Sequence, residues 1–334
     1  MRFPRCTLGG ILAPFLLAGA VSAQVEVSGT GYLHYRYQLD TGESPDGGSR
    51  SGNFDVDRSY LTVTAPLGDG LSSRVTVDID NRDAGPALQF RLKYAWLGWR
   101  PEGSALQARF GMIPTPLIER IERLWGHRMQ GQVAIDRTGY LSSSDLGLSV
   151  DGNWNDDAVS AAIGIYNGEG YDQEPGDHRK DVAARVSVRL ASSDTTGATA
   201  GLQLTGYAHH GRPTGGGIRN RGLAMLSYQS RRVTLGASYA VTTDSTDGIA
   251  ESTGRVVSAF GVYRIPGSRF SALARLDEVD RDTAVETSDD ETVVILGGAW
   301  QWRLMIDFDL PTPASHSPLV PDGRSVNFRT EFRF

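Results

Sequence analysis

Residues Ser325 to Phe334 read Ser-Val-Asn-Phe-Arg-Thr-Glu-Phe-Arg-Phe. In an extended strand Val326, Phe328, Thr330, Phe332 and Phe334 share one face, while Asn327, Arg329, Glu331 and Arg333 share the other. A soluble sheet would bury so aromatic a face in a core. A sheet in lipid would present it outward, and would have to close on itself because lipid cannot satisfy an open sheet edge.

The start of the chain bears on the choice between these media. Residues 1–23 carry Arg2 and Arg5, then the apolar run from Gly10 to Ala20, then Val21-Ser22-Ala23 before Gln24. A charged start, a short apolar stretch and an A-x-A-like site predict a cleaved secretory signal peptide. That leaves 24–334 as one domain, a transmembrane β-barrel. The apolar run is too short for a spanning helix, which needs about 20 residues. Cys6, the sole cysteine, lies inside this segment and away from a lipobox position, so neither a disulfide framework nor thiol chemistry is expected of the working protein.

No later apolar run approaches spanning length, and the mean hydropathy is −0.28. A helical membrane protein is excluded, whereas a membrane barrel is not, because its lipid face uses only every second residue. Glycine is abundant, at 40 residues. Of the 33 basic residues only Lys93 and Lys180 are lysine. An arginine-lined surface binds anions bidentately, where lysine offers a point charge. Removing Arg2 and Arg5 takes the net charge from −6 to −8, a sign that argues against a nucleic-acid binder.

Period-2 patterning predicts sixteen strands, near 25–39, 54–65, 71–81, 88–99, 105–112, 140–151, 158–167, 181–191, 198–209, 219–229, 232–243, 255–265, 269–279, 291–300, 302–310 and 324–334. Shifts at strand boundaries leave fourteen or eighteen open. The clearest alternation sets Val182, Ala184, Val186, Val188 and Leu190 against Ala183, Arg185, Ser187 and Arg189. The strands near 88–99 and 255–265 are apolar on both faces in places, so their registers are ambiguous.

Connections after even-numbered strands are tight, as at Pro66–Gly70, Pro101–Ser104 and Pro266–Ser268. Those after odd-numbered strands are long and polar: 40–53, 113–139, 168–180, 210–218, 244–254, 280–290 and 311–323. An up-and-down membrane barrel has this form, with short periplasmic turns and long extracellular loops. Trp99, Tyr228, Tyr263, Trp300, Trp302 and Phe334 then gather at the short-turn rim, where an aromatic girdle is expected. Sixteen strands enclose a water-filled lumen, while eight would be packed solid with side chains.

The third long connection, 113–139, opens Ile113-Pro-Thr-Pro-Leu-Ile-Glu119. Thr115 is placed to cap a helix whose first position is Pro116 and whose first turn holds Glu119. Leu117, Ile121, Leu124 and Trp125 recur at helical spacing, with Glu119, Arg120, Glu122, Arg123, His127 and Arg128 on the other faces. The expected arrangement is a loop folded into the lumen as a constriction, apolar stripe against the wall and charges toward the channel. A surface loop packed on its neighbours or on another subunit is the alternative.

Two resemblances sharpen these expectations. The ending on Phe334 resembles the closing strand of bacterial outer-membrane barrels, whose final aromatic is part of their assembly signal. Leu92-Lys-Tyr-Ala-Trp-Leu-Gly-Trp99, Ala108-Arg-Phe-Gly-Met-Ile-Pro-Thr-Pro116 and Asp136-Arg-Thr-Gly-Tyr140 resemble the corresponding region of sixteen-stranded general porins, the phosphate-selective O/P group in particular. The motif-level likeness covers roughly 88–150, and elsewhere only the architecture matches. It implies a trimeric passive channel in the outer membrane, among lipid and lipopolysaccharide, whose third loop narrows the pore for small hydrophilic solutes. In phosphate-selective members an arginine ladder and a lysine cluster line the pore.

With apolar residues facing lipid, the lumen receives Arg36, Arg58, Arg74, Arg91 with Lys93, and Arg109 from the first five strands, and closure adds Arg329 and Arg333. These form a continuous basic arc, with Arg185, Arg189, Arg275 and Arg303 elsewhere on the wall. Opposing carboxylates are expected from Glu119 and Glu122 on the loop, and from Asp78, Asp80, Asp277 and Asp307. A cationic wall facing an acidic loop sets up a transverse field that favours small charged solutes, anions mildly preferred.

Enzyme chemistry finds little support. Of His34, His127, His178, His209, His210 and His316 only His34 and His127 fall where a water-filled site is plausible, and neither has a Ser or Asp at a recognisable spacing. G-x-S-x-G and HExxH are both absent. Asp78, Asp80 and Asp83, and Glu286, Asp289, Asp290 and Glu291, lack a Ca²⁺-loop pattern. No cofactor or metal is expected. A non-conducting barrel acting as an anchor or adhesin, and less so an outer-membrane hydrolase, stand as alternatives.

Overall fold

A computed structural model describes residues 24–39, 52–80, 88–174, 176–214, 216–246, 248–285, 290–301, 303–312 and 323–334. The leader 1–23, Asp83, Glu286, Asp289, Trp302 and His316 lie outside the described residues. Sixteen strands form one closed antiparallel barrel in which each pairs with its sequence neighbours and the last pairs with the first. They are β1 Glu26–Gln38, β2 Asn53–Gly68, β3 Leu71–Asp80, β4 Gln89–Trp99, β5 Leu106–Pro114, β6 Ser144–Trp154, β7 Val159–Tyr166, β8 Asp181–Ala191, β9 Gly201–Gly211, β10 Arg219–Gln229, β11 Val233–Thr246, β12 Ile249–Arg264, β13 Phe270–Asp280, β14 Glu291–Trp300, β15 Leu304–Thr312 and β16 Ser325–Arg333. No helix among the described residues is long and apolar enough to cross a membrane.

The period-2 rule is realised around the wall. In β8 Asp181, Ala183, Arg185 and Ser187 are buried on the inside while Val182, Val186 and Val188 are exposed outside. In β16 Asn327, Arg329 and Glu331 point in, while Phe328 and Phe332 are exposed outside. The short-turn rim carries exposed Trp99, Tyr263, Trp300 and Phe334, as expected, and also Trp154 and Phe270. A second aromatic group, Tyr37, Phe54 and Phe90, decorates the long-loop end of β1, β2 and β4.

Closure is sealed by aromatic rings over glycine. Gly31 pairs with Phe332, and Gly29 exchanges both backbone hydrogen bonds with Phe334 at 2.9 and 3.1 Å. A Cβ at Gly29 or Gly31 would run into the ring of Phe334 or Phe332. The two terminal rings of the closing strand therefore lie where β1 has no side chains.

The two ambiguous strands have distinct physical causes. The β3–β4 register shifts between Thr76 and Val77, so Thr76 pairs with Tyr94 and Val77 with Leu92, leaving Lys93 as the extra residue of a β-bulge. Lys93 and Tyr94 are both buried as a result. In β12 the ladder is regular over 255–264, and the one register shift falls earlier, opposite Asp244 to Thr246. Val256, Phe260 and Val262 line the inside and are buried because a loop packs on them.

The boundaries move most at β6, which begins at Ser144 and not near 140, and at β12, which begins at Ile249 and not near 255. One connection after an even strand, between Ala191 and Gly201, is longer than a tight turn and buries Thr199 and Ala200.

Candidate functional site

The third long loop enters the lumen from β5 and contacts the wall at β11, β12 and β16 before returning to β6. Its helix α1 spans Ile118–Trp125, and Gly126 in the left-handed conformation (φ 70°) ends it. The expected Thr115 cap does not form. Leu117 is the N-cap, and Thr115 Oγ1 donates instead to the Ser142 carbonyl at 2.6 Å, tying the two ends of the loop together.

The expected apolar stripe of Leu117, Ile121, Leu124 and Trp125 is buried, and Ile118 is buried with it. Trp125 meets Phe260 of β12 edge to face, with ring centroids 5.1 Å apart. A 3₁₀ turn at Arg128–Gln130 and a short helix α2, Ala134–Arg137, follow, neither foreseen in the sequence. Met129, Val133, Ala134 and Ile135 join the same apolar cluster, against Leu223, Ala240, Val256 and Leu273 of the wall.

Wall arginines fasten the loop's carbonyl groups. Arg185 Nε donates to Pro116 O at 2.8 Å, Arg221 Nε to Tyr140 O at 3.1 Å, and Arg275 Nη1 to Gln132 O at 2.9 Å. From the loop, Arg137 reaches back to Asp277 at 3.3 Å and to Glu291. Carbonyls in the irregular stretches beside the short helices thus find cationic donors, which outperform neutral ones.

The eight residues of the basic arc all lie on lumen-facing positions of β1–β5 and β16, but most are neutralised along the wall. Arg58 is 1% exposed and pairs with Asp78 at 3.3 Å and Asp80 at 2.7 Å, while Arg91 shares Asp80 at 2.6 Å. Arg329 pairs with Asp307 at 2.7 Å and Asp309 at 2.9 Å. Arg109 pairs with Asp151, and Arg333, at the short-turn rim, with Glu331.

Two members are held by neutral groups. Arg36 Nε donates to Asn327 at 3.2 Å, and the Arg74 guanidinium lies 4.5 Å from the Tyr94 ring centre. Lys93 sits among Tyr60, Tyr94 and Tyr171, its Nζ 5.1, 5.8 and 5.2 Å from their ring centres. Tyr171 belongs to the next long loop and donates to Asp78 at 2.8 Å, so that loop also folds inward.

The expected opposition of cationic wall and acidic loop is therefore corrected. Asp78 and Asp80 stand on the arc's own wall. The loop carboxylates pair with the loop's own arginines: Glu122 with Arg128 at 2.9 Å, and Glu119 with Arg123 at 3.1 Å in an exposed i,i+4 pair. Arg275 pairs with Asp277 two residues along its strand at 2.6 Å, and Arg303 lies in an exposed turn and not on the wall. Cross-strand neighbours on a sheet are about 5 Å apart, so a lateral partner wins over one across the lumen.

Two clefts border the loop. One, of about 170 Å³, opens toward the long loops and is lined by Arg36, Arg58, Arg128, Arg137, Arg275 and Arg329 with Asp57 and Asp309. Every one of these arginines except Arg36 is in an ion pair. The other, of about 210 Å³, lies toward the short turns between α1 and β5–β8. It holds Arg120, expected as a charge on the constriction loop, and Arg185, expected on the wall outside the arc. Burial and the nearby guanidiniums of Arg185, Arg123 and Arg189 push Arg120 down to about 10. His127 is buried beside Trp125, its Nδ1 donating to the Trp125 carbonyl at 3.0 Å, and burial lowers it from its ordinary 6.5.

His209 and His210 lie on opposite faces of β9 and cannot share a ligand. His209 faces Asp181 at 2.9 Å, and His210 Nδ1 lies 2.7 Å from the Asn220 side chain. His34 occupies a lumen position of β1, flanked by Arg36 two residues on.

No family model matches the chain, and no curated protein matches it. Solved structures do. The chain is similar to OmpF of Salmonella typhi in complex with daunomycin, with a TM-score of 0.65 and 11% identity over 93% of this chain and 98% of that one. It is similar to an anion-selective porin from Comamonas acidovorans, with a TM-score of 0.62 and 12% identity over 93% and 99%. The trimer form of OmpT, an outer membrane protein of Vibrio cholerae, follows with a TM-score of 0.60 and 12% identity over 93% and 99%. What is shared is the fold of bacterial porins. The narrower likeness to the phosphate-selective O/P group finds no counterpart in these matches.

Proposed function

We propose that the protein is an outer-membrane porin, exported by the leader at 1–23, that forms a passive water-filled channel for small hydrophilic solutes. The observation that carries this reading is a closed barrel with an apolar exterior and a charged lumen, narrowed by the inward-folded loop 113–139. An anchor or adhesin would have no use for a loop fastened inside its own lumen by four wall and loop arginines. Assembly as a homotrimer among lipid and lipopolysaccharide belongs to the same proposal, supported by the trimer form of the Vibrio cholerae neighbour.

Ion preference is proposed to be mildly anionic despite the net charge of −6, because guanidiniums without a carboxylate partner among the described residues stand at Arg36, Arg74, Arg120 and Arg185. Purified protein in a planar bilayer is expected to give stepwise openings, and a KCl gradient a reversal potential of anionic sign. Silence from well-folded protein would refute the channel, and a clear cation preference would refute the selectivity.

A further inference from the structure

The cleft between α1 and β5–β8 brings two guanidiniums without an ion-pair partner among the described residues into one pocket. Five guanidiniums line it, from Arg100, Arg109, Arg120, Arg123 and Arg185, against the carboxylates of Glu119 and Asp151. Asp151 is engaged by Arg109, and Glu119 by Arg123. Arg120 and Arg185 are left with neutral acceptors only. Arg120 Nη2 donates to the Gln203 side-chain oxygen and, at 3.3 Å, to Ala198 O. Arg185 donates to Pro116 O at 2.8 Å, Ser160 Oγ at 3.0 Å and Ser187 Oγ at 2.7 Å.

Arg185 is 9% exposed and reaches into the cleft, and no carboxylate among the described residues lies within ion-pair distance of it or of Arg120. Buried charges are ordinarily paired, because desolvating a lone ion costs several kcal/mol. Here the compensating charge has to come from solution.

We propose that this cleft is a binding site for a small multivalent oxyanion, held by Arg120 and Arg185 with Arg123 and Arg100 at its mouth. The proposal rests on the porin reading only in that solute must reach the lumen. Several guanidiniums match an oxyanion's geometry, since each offers paired N–H donors to two oxygens. A monovalent halide has one centre and gains far less from a fork of donors. The Ser149 and Ser160 hydroxyls and Asn153 also line the cleft and are neutral donors for the remaining oxygens. Burial and the guanidiniums of Arg185, Arg123 and Arg189 lower Arg120, and an anion between them would oppose that. The cleft faces the short turns, which the porin reading assigns to the periplasmic side, so it lies on the exit side of the loop for a solute moving inward.

Calorimetric titration of the detergent-solubilised full barrel with inorganic phosphate tests this, with sodium sulfate and sodium chloride as comparison titrants at matched ionic strength. Phosphate and sulfate are expected to bind saturably and chloride not. Arg120→Gln and Arg185→Gln should each weaken binding about tenfold or more, and the exposed turn variant Arg232→Gln should bind as wild type. In wild-type protein, phosphate should also protect Arg120 and Arg185, but not Arg232, from phenylglyoxal as read by mass spectrometry. That readout stands if the variants fail to fold. Absence of saturable phosphate binding, equal binding of chloride, or protection no greater than at Arg232 would overturn the site. Binding without bilayer conductance would overturn the channel and keep the site. Conductance without binding would overturn the site alone.

Discussion

Trp125→Ala should free the third loop from the wall while leaving the barrel standing. The side chain is 1% exposed, packs edge to face on Phe260, and lies in a cluster with Ile121, Val133 and Ile135. Truncating a buried tryptophan costs about 3–5 kcal/mol. None of that cost falls on the strand ladder, which is held by backbone hydrogen bonds between β neighbours. It falls on the equilibrium between docked and undocked loop, which shifts by roughly 150-fold to 4,000-fold. Trypsin reads the shift directly, because Arg120, Arg123 and Arg128 lie in the loop. When opening is fast relative to cleavage, the rate follows the population of the open form even where that form is rare. The variant should therefore be cut at these sites about 100 times faster than wild type in detergent, and its single-channel trace should grow noisier and its mean conductance rise. Cleavage within about threefold of wild type, with unchanged conductance, would refute the claim that this tryptophan anchors the loop.

Two further outcomes follow from the same packing. His127 is held below its ordinary 6.5 by burial and the Arg264 guanidinium, against the pull of the Trp125 carbonyl. The undocked loop therefore takes up a proton more readily than the docked one. Docking is fully stable above pH 6.5 and weakens as pH falls from there toward the depressed value. Channel noise should rise between pH 7 and pH 5 and stay flat in His127→Gln, and a flat wild-type trace would refute the assignment. At the seam, Gly31→Val drives a side chain into the Phe332 ring and should lower the yield of heat-modifiable folded barrel more than twofold, with Phe332→Leu restoring part of it. Normal assembly of Gly31→Val alone would show that the glycine is dispensable.

Much of the barrel is legible because a closed sheet in lipid repeats one rule on every strand. The β8, β10 and β14 spans coincide with their sequence readings. The two strands that resisted the rule carried information of a different kind. Apolar residues on both faces of β12 mark where the third loop lands, since Val256, Phe260 and Val262 face the lumen under Trp125 and α2. The doubled face of β4 marks the bulge that turns both Lys93 and Tyr94 inward. Neither cause is visible within one strand, because docking needs the fold and a bulge needs the partner's register. The loop's own path is illegible for the same reason: the Arg137–Glu291 pair and the reach of Tyr171 to Asp78 each join residues more than 90 positions apart. The arc's membership could be read from alternation, whereas its neutralisation could not, since that depends on which strands lie side by side.

That last point bears on where selectivity arises. On a pleated wall a guanidinium meets carboxylates on the next strand or two residues along its own, as Arg58 meets Asp80 and Arg275 meets Asp277. Two unit charges about 4 Å apart interact by about 4 kcal/mol at an effective dielectric of 20, and the energy falls as the separation grows. A lateral pair is therefore formed first and presents a dipole, not a charge, to a passing ion. Only arginines whose lateral neighbours are neutral project a net field into the lumen, and among the described residues these are chiefly Arg36, Arg74, Arg120 and Arg185. Removing both members of a lateral pair, as in Arg275→Gln with Asp277→Asn, should leave the reversal potential in a KCl gradient where it was. Arg120→Gln with Arg185→Gln removes two uncompensated charges and should move it toward cations. If the pair-neutralised channel moves as far as the doubly substituted one, ion pairing along the wall does not govern what this lumen prefers.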